Sequence, residues 1–164
     1  MPELPEVETV VREIRGALLN RSITAARFAV PRQLEPHTPR GLAHVVNGQT
    51  IRDVQRRGKH ILIRLDRGLL VVHLRMTGRL YVREADGERP HERAWFDLGD
   101  GRVLAFRDAR TLGVIRYVRD GETPEMLSRL GWEPLHDRVS PEELKTVLSW
   151  RTLAVKLLLL DQKV

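Results

Sequence analysis

HILIRLDRGLLVVHL, residues 60–74, consists of two apolar runs, His60–Leu65 and Leu69–Leu74, separated by Asp66, Arg67 and Gly68. Short runs rich in Ile, Val and Leu and bounded by turn formers read as β-strands, and a brief polar break ending in glycine joins them as an antiparallel hairpin. The pattern extends both ways. Upstream, Ile23 to Val30 and Thr50 to Arg56 read as strands; downstream, Gly78 to Arg83, Arg93 to Leu98, Val103 to Phe106 and Gly113 to Val118 do the same, with Asp100-Gly101 as a further turn. Around these strands the apolar spacing lengthens to that of helices. Val7, Val10, Val11, Ile14 and Leu18 form one apolar stripe ending near Asn20, and Thr38-Pro39 looks like the cap and first position of a short helix through Val46. Past Glu122, Thr123 to Leu130, Ser140 to Trp150 and Thr152 onward are again helical, Ser140, Pro141 and Glu143 suiting a helix start. The expected fold is therefore α+β, an antiparallel β-sandwich or barrel of about eight strands flanked by helices.

The chain has 164 residues, enough for one domain with a core, and Lys and Arg outnumber Asp and Glu by 28 to 22. That excess favours a polyanionic partner, nucleic acid first. With no cysteine there can be no disulfide and no thiolate zinc site. No targeting segment or stretch of membrane-spanning length is recognisable, so a cytoplasmic location and no membrane partner are expected. The last segment, TLAVKLLLLDQKV, is apolar and lacks a capping glycine, which suggests that the natural chain continues past Val164.

Removal of Met1 would leave Pro2 as a terminal secondary amine, a nucleophile with an appreciable neutral fraction near neutral pH. Attack on a sugar C1′ would give an iminium directly, an electron sink that acidifies C2′–H. Glu3 and Glu6 supply carboxylates beside it. Equally, Pro2, Glu3 and Glu6 suit an ordinary helix start, where proline and acidic residues are favoured. Lys59, one of only four lysines, falls in a turn between strands.

PELPEVETV at Pro2–Val10, RRGKH at Arg56–His60, VHLRMTG at Val72–Gly78, FRDARTLG at Phe106–Gly113 and KLLLLDQKV at Lys156–Val164 together resemble the formamidopyrimidine-DNA glycosylase and endonuclease VIII family, in order and across the whole chain. The resemblance implies a bifunctional DNA glycosylase and AP lyase that excises oxidised purines, such as 8-oxoguanine and formamidopyrimidines, through a Schiff base on Pro2 with β,δ-elimination. Pro2 would be the nucleophile, Glu3 the proton donor, and Glu6 a support for the catalytic end. Lys59 would grip a phosphate beside the lesion, and His73 would make a second backbone contact. Met76, Arg110 and Leu112 would fill the gap left by the everted nucleotide, Arg110 also bonding the orphaned base and so setting preference for an opposite cytosine. Leu112 departs from the phenylalanine usual in formamidopyrimidine-type members. Lys156 and Gln162 lie in the motif that leads into the family's helix-two-turns-helix.

The domain division implied is residues 1–130 for the catalytic β-sandwich and 131–164 for a helical segment leading onward. The partner implied is damaged double-stranded DNA bound by a monomer. No cofactor is implied for this chain, because the family's zinc belongs to a C-terminal finger. Two other readings stay open. The chain can be a non-catalytic DNA-binding fragment, through truncation or a retained Met1, or an N-terminal-proline enzyme for small molecules. The latter leaves the basic charge and the RRGKH, HLRMTG and DARTLG segments unexplained.

Overall fold

The computed structural model describes residues 2–149 and 151–161. Helix α1, Leu4–Leu18, forms because Val7, Val11, Ile14 and Leu18 recur on one face and are all buried. Pro5 sits in its first turn, where its missing N–H costs no hydrogen bond. The helix packs mainly on β2, Ile51–Arg57, and two ion pairs fix it there: Arg15 to Asp53 at 3.0 Å and Arg56 to Glu8 at 2.9 Å.

All eight expected strands are present. Strands β2, β3 (His60–Leu65), β4 (Leu69–His73) and β8 (Val114–Val118) form one antiparallel sheet in the order β2-β3-β4-β8. The opening hairpin sits at its centre, with His60 opposite His73 and Ile61 opposite Val72. Strands β1 (Ala25–Phe28), β6 (Glu92–Asp97), β7 (Arg102–Arg107) and β5 (Arg79–Glu84) form the other, ordered β1-β6-β7-β5. Ile61, Ile63, Leu70, Val72 and Ile115 from the first sheet share one core with Leu80, Phe96, Leu104 and Phe106 from the second. The α+β sandwich read from the sequence is the observed architecture.

Two departures are local. The strand expected over Ile23 to Val30 is regular over Ala25–Phe28, with flanking bonds from Thr24 N to Asp97 O and Ala29 N to Arg93 O, both 2.8 Å, while Ile23 donates to Gln49 O at 2.9 Å instead. Pro31–Leu34 then forms a 3-10 turn absent from the sequence reading; it places Gln33 in the interior, 3% exposed. Helix α2, Pro39–Val46, begins as expected, with Thr38 Oγ1 accepting from Gly41 N at 3.0 Å.

The outer face of the second sheet carries a separate apolar group, Trp95, Val103, Ala105 and Tyr81. At its centre the Glu92 carboxylate, fully buried, accepts from Arg83 Nε (2.8 Å) and Nη2 (2.6 Å), Tyr81 OH (2.7 Å), Trp95 Nε1 (2.7 Å) and Arg89 N (3.1 Å). Burial by itself would raise the Glu92 pKa, but these five donors overcome it and hold it at about 2. The Arg27 guanidinium covers the Trp95 ring at 5.3 Å.

The chain divides into two compact units, residues 1–122 and 123–164. The second unit contains α3 (Glu125–Ser128), α4 (Pro141–Ser149) and α5 (Val155–Leu160). Helix α4 opens on a reciprocal cap, Ser140 N to Glu143 Oε2 at 2.8 Å and Glu143 N to Ser140 Oγ at 3.2 Å. Trp150 and Gln162 lie outside the described residues. Among those described, no helix is long and apolar enough to cross a membrane.

Candidate active site

Pro2 and Glu3 lead into α1, both half-buried. Glu6, exposed on the first turn, turns back so that its Oε2 accepts from Glu3 N at 3.0 Å. That bond satisfies a helix-end N–H and fixes the backbone immediately after Pro2. The Glu3 carboxylate meets Lys59 Nζ at 2.5 Å.

Lys59 reaches Glu3 because the β2–β3 turn is tied to α1. Gly58 takes a positive φ of 56°, and Arg56, its side chain wholly buried, bonds both Glu8 Oε2 at 2.9 Å and Gly58 O at 3.1 Å. Lys59 is itself only 8% exposed, unlike a solvated turn lysine.

Next to Lys59, His60 and His73 face each other across the β3–β4 ladder, edge to face at 4.6 Å between ring centres. Both are buried. Burial first, and then the nearby Arg75 cation, outweighs a backbone bond to Arg57 and depresses His60 to about 4. Burial, followed by His60, Arg75 and Lys59, depresses His73 to about 3. Both rings are therefore neutral at neutral pH. His73 Nδ1 accepts from Arg75 N at 3.0 Å, which places its proton on Nε2. A phosphate would meet a neutral donor there, not a cation.

The Arg75 backbone opens the β4–β5 loop, and that loop is latched to the β7–β8 loop. Thr77 Oγ1 donates to Asp108 Oδ1 at 2.5 Å, and Arg110 N points at both Thr77 Oγ1 and Asp108 Oδ1 at 3.3 Å. Each loop contains a non-glycine residue in the left-handed region, Arg75 at φ 54° and Thr111 at φ 53°. Such conformations cost about 1–3 kcal/mol each and persist only where surroundings enforce them. Each loop also closes on a glycine with no room for a side chain: a Cβ on Gly78 would lie 2.4 Å from Leu74 O, and one on Gly113 2.4 Å from the Phe106 ring. From these strained loops Met76 (46% exposed) and Leu112 (42%) project into solvent with Arg110, outside the core that an apolar residue would ordinarily join.

Contacts thus link Glu6 to Glu3 and Glu3 to Lys59, His60 beside Lys59 faces His73, and Met76, Arg110 and Leu112 stand on two latched loops, the first of which begins just past His73. Lys156 is exposed on α5 in the second unit. Sequence reasoning did not single out His60, Thr77, Gln33 or Asp108. The hairpin symmetry about Asp66-Arg67 was a usable signal for His60, and none existed for Gln33. Among the described residues, no three His, Cys, Asp or Glu side chains converge as a metal site would.

Pro2 thus precedes a carboxylate that contacts a buried lysine, and exposed apolar and cationic side chains stand on the two latched loops. The model of the formamidopyrimidine-DNA glycosylase N-terminal domain matches residues 1–115. Proteins called formamidopyrimidine-DNA glycosylase from Brevibacillus brevis and Chloroflexus aggregans are 39% and 42% identical over 99% of this chain, which spans 60% of each of them. A crystal structure of the Lactococcus lactis formamidopyrimidine-DNA glycosylase, non-covalently bound to DNA containing an AP site, superposes with a TM-score of 0.88 at 28% identity, covering 99% of this chain and 63% of that one. The chain belongs to the formamidopyrimidine-DNA glycosylase family.

Proposed function

We propose that this chain carries the nucleophile of a base-excision glycosylase and AP lyase acting on oxidised purines, 8-oxoguanine and formamidopyrimidines, in duplex DNA. The observation that supports this most is the Glu3–Lys59 contact at 2.5 Å beside Pro2, on the same compact unit as the latched loops bearing Met76, Arg110 and Leu112. That unit carries both a reactive end and groups able to occupy a gap in a base stack.

With Met1 removed, the Pro2 nitrogen lone pair forms a bond to C1′ as the C1′–base bond breaks, and the departing base takes up a proton. Glu3 delivers a proton to O4′, the sugar ring opens, and a C1′ iminium remains. Loss of the C2′ proton expels the 3′ phosphate, a second elimination expels the 5′ phosphate, and water hydrolyses the imine to release Pro2. Glu6 keeps the Glu3 backbone in place through the 3.0 Å bond. Lys59 shifts between Glu3 and a phosphate beside the lesion, and His73 offers Nε2–H to a second phosphate. Met76 and Leu112 wedge into the stack, and Arg110 bonds the orphaned base, preferring cytosine. Leucine wedges by volume without a π face, so Leu112 contributes less stacking than a phenylalanine would. Lys156 adds a cation to the DNA partner from the second unit.

The test is borohydride trapping on duplex DNA with an abasic site or 8-oxoguanine opposite cytosine, with intact mass to confirm Met1 removal. A covalent adduct mapping to Pro2, and loss of base excision with retained DNA binding in Glu3→Gln, support the reading. No adduct from a processed chain that still binds the duplex would make this chain a binding module instead.

A further inference from the structure

We infer that Asp108 is the positioning residue that holds the two base-displacing loops in mutual register, and through Arg110 sets the discrimination for the opposite base. The inference rests on the proposed wedge role of Met76, Arg110 and Leu112.

Asp108 follows β7 directly and is 0% exposed. Its two carboxylate oxygens take four donors from three separate segments. Oδ1 accepts from Thr77 Oγ1 at 2.5 Å and faces Arg110 N at 3.3 Å; Oδ2 accepts from Gln33 Nε2 at 2.9 Å and Gly113 N at 2.7 Å. Its own backbone is pinned too, with N donating to His91 O at 2.8 Å and O accepting from Arg93 Nε at 3.1 Å. A carboxylate offers about four acceptor sites and no donor, so this set of donors is complete.

The consequence is geometric. Thr77 is the residue after Met76, while Arg110 and Gly113 bracket Leu112. One buried carboxylate therefore sets the separation of the wedge residues on both loops. Gln33, on the 3-10 turn, anchors it from behind, and Arg32 on the same turn bonds Thr111 Oγ1. The positive φ values of Arg75 and Thr111 lie directly beside this latch. An amide in place of the carboxylate would turn an N–H₂ group toward two of the four donors. A merely packed aspartate would not couple both loops to a third segment.

The test compares the chain with its Asp108→Asn variant, with Thr77→Val as a second lesion that removes one donor and Thr77→Ser as the conservative control. Without DNA, hydrogen exchange is read over segments 74–78 and 109–113, with β3 as an internal reference. The expected result is faster exchange in both loops of Asp108→Asn while β3 stays protected; exchange matching the parent chain in both loops would overturn the inference.

With duplex DNA, single-turnover excision of 8-oxoguanine opposite cytosine is compared with borohydride trapping on a preformed abasic site, which has no base to displace. Misplacement of groups by about 1 Å can cost about a hundredfold in rate. We expect excision to fall by roughly that factor in Asp108→Asn and Thr77→Val, with trapping falling by far less, the cytosine-over-adenine preference narrowing, and Thr77→Ser behaving as the parent. Equal losses of excision and trapping, or a Thr77→Ser variant as impaired as Thr77→Val, would refute positioning. Met76→Ala and Arg110→Ala report on the wedge role separately. If they excise normally while both loops loosen in Asp108→Asn, the wedge reading fails and the structural latch stands.

Discussion

Replacing Glu92 by glutamine should remove about 3 kcal/mol of stability at pH 7, a loss that shrinks as the solution is acidified. The side chain is fully buried and takes five donors, two of them from Arg83, whose own side chain is 7% exposed. Glutamine keeps one acceptor oxygen, so an amide nitrogen must face Arg83 or Trp95 and the guanidinium loses its counter-charge. Breaking a buried pair in this way costs about 3–5 kcal/mol. The same donors, expressed through the pKa, give a similar size: holding a carboxyl at about 2 instead of 4.5 is worth roughly 3.4 kcal/mol, at 1.36 kcal/mol per unit. The folded value is the lower one, so this stability is fully present above pH 4.5 and is lost as pH falls toward 2; at pH 3 only about 1.4 kcal/mol remains. Urea unfolding of both proteins at pH 7, 4 and 3 measures it. In thermal unfolding at pH 7 the midpoint should fall by about 6–12 °C. A loss under 1 kcal/mol, or a difference that stays constant from pH 7 to pH 3, would refute the reasoning.

Lys59→Ala should weaken duplex binding and lower the slope of log K against log salt by about one, measured by titration at several salt concentrations; an unchanged slope rules out a phosphate contact. His60 and His73, depressed to about 4 and 3, should show no titration between pH 8 and pH 5 in ring-proton NMR. As their folded values lie below the unfolded 6.5, they cost stability progressively as pH falls below 6.5, and a histidine shift midpoint near 6.5 for either ring would contradict the burial argument. Gly113→Ala forces a Cβ to within 2.4 Å of the fully buried Phe106 ring and should destabilise by about 1–3 kcal/mol in urea unfolding, whereas Gly16→Ala, with nothing within 4 Å in a helix, should be neutral or stabilising.

Much of the fold was legible because its determinants are local. The His60–Leu74 hairpin, the α1 stripe and the Ser140–Glu143 cap depend on residues a few positions apart, which periodicity and turn chemistry register directly. The strand expected from Ile23 starts later because Ile23 donates to Gln49 O, a contact that no local pattern encodes. The 3-10 turn at Pro31–Leu34 was missed for a related reason: its purpose is to carry Gln33 to Asp108, 75 residues away.

The candidate site divides in the same way. The sequence by itself supplied the candidate side chains, since Pro2 and Glu3 are adjacent in the chain and the RRGKH, HLRMTG and DARTLG motifs name the others. Only the tertiary structure decided which of them meet. Asp108 stood unassigned within FRDARTLG because its role is created by Thr77, 31 positions back, and by Gln33. Burial likewise decided protonation. His73 and His60 are ordinary histidines in the sequence; the β3–β4 register stacks them together away from water and so holds both well below the usual histidine range. A sequence specifies the groups; desolvation and long-range pairing, which depend on distances between remote segments, specify their charge and their reach.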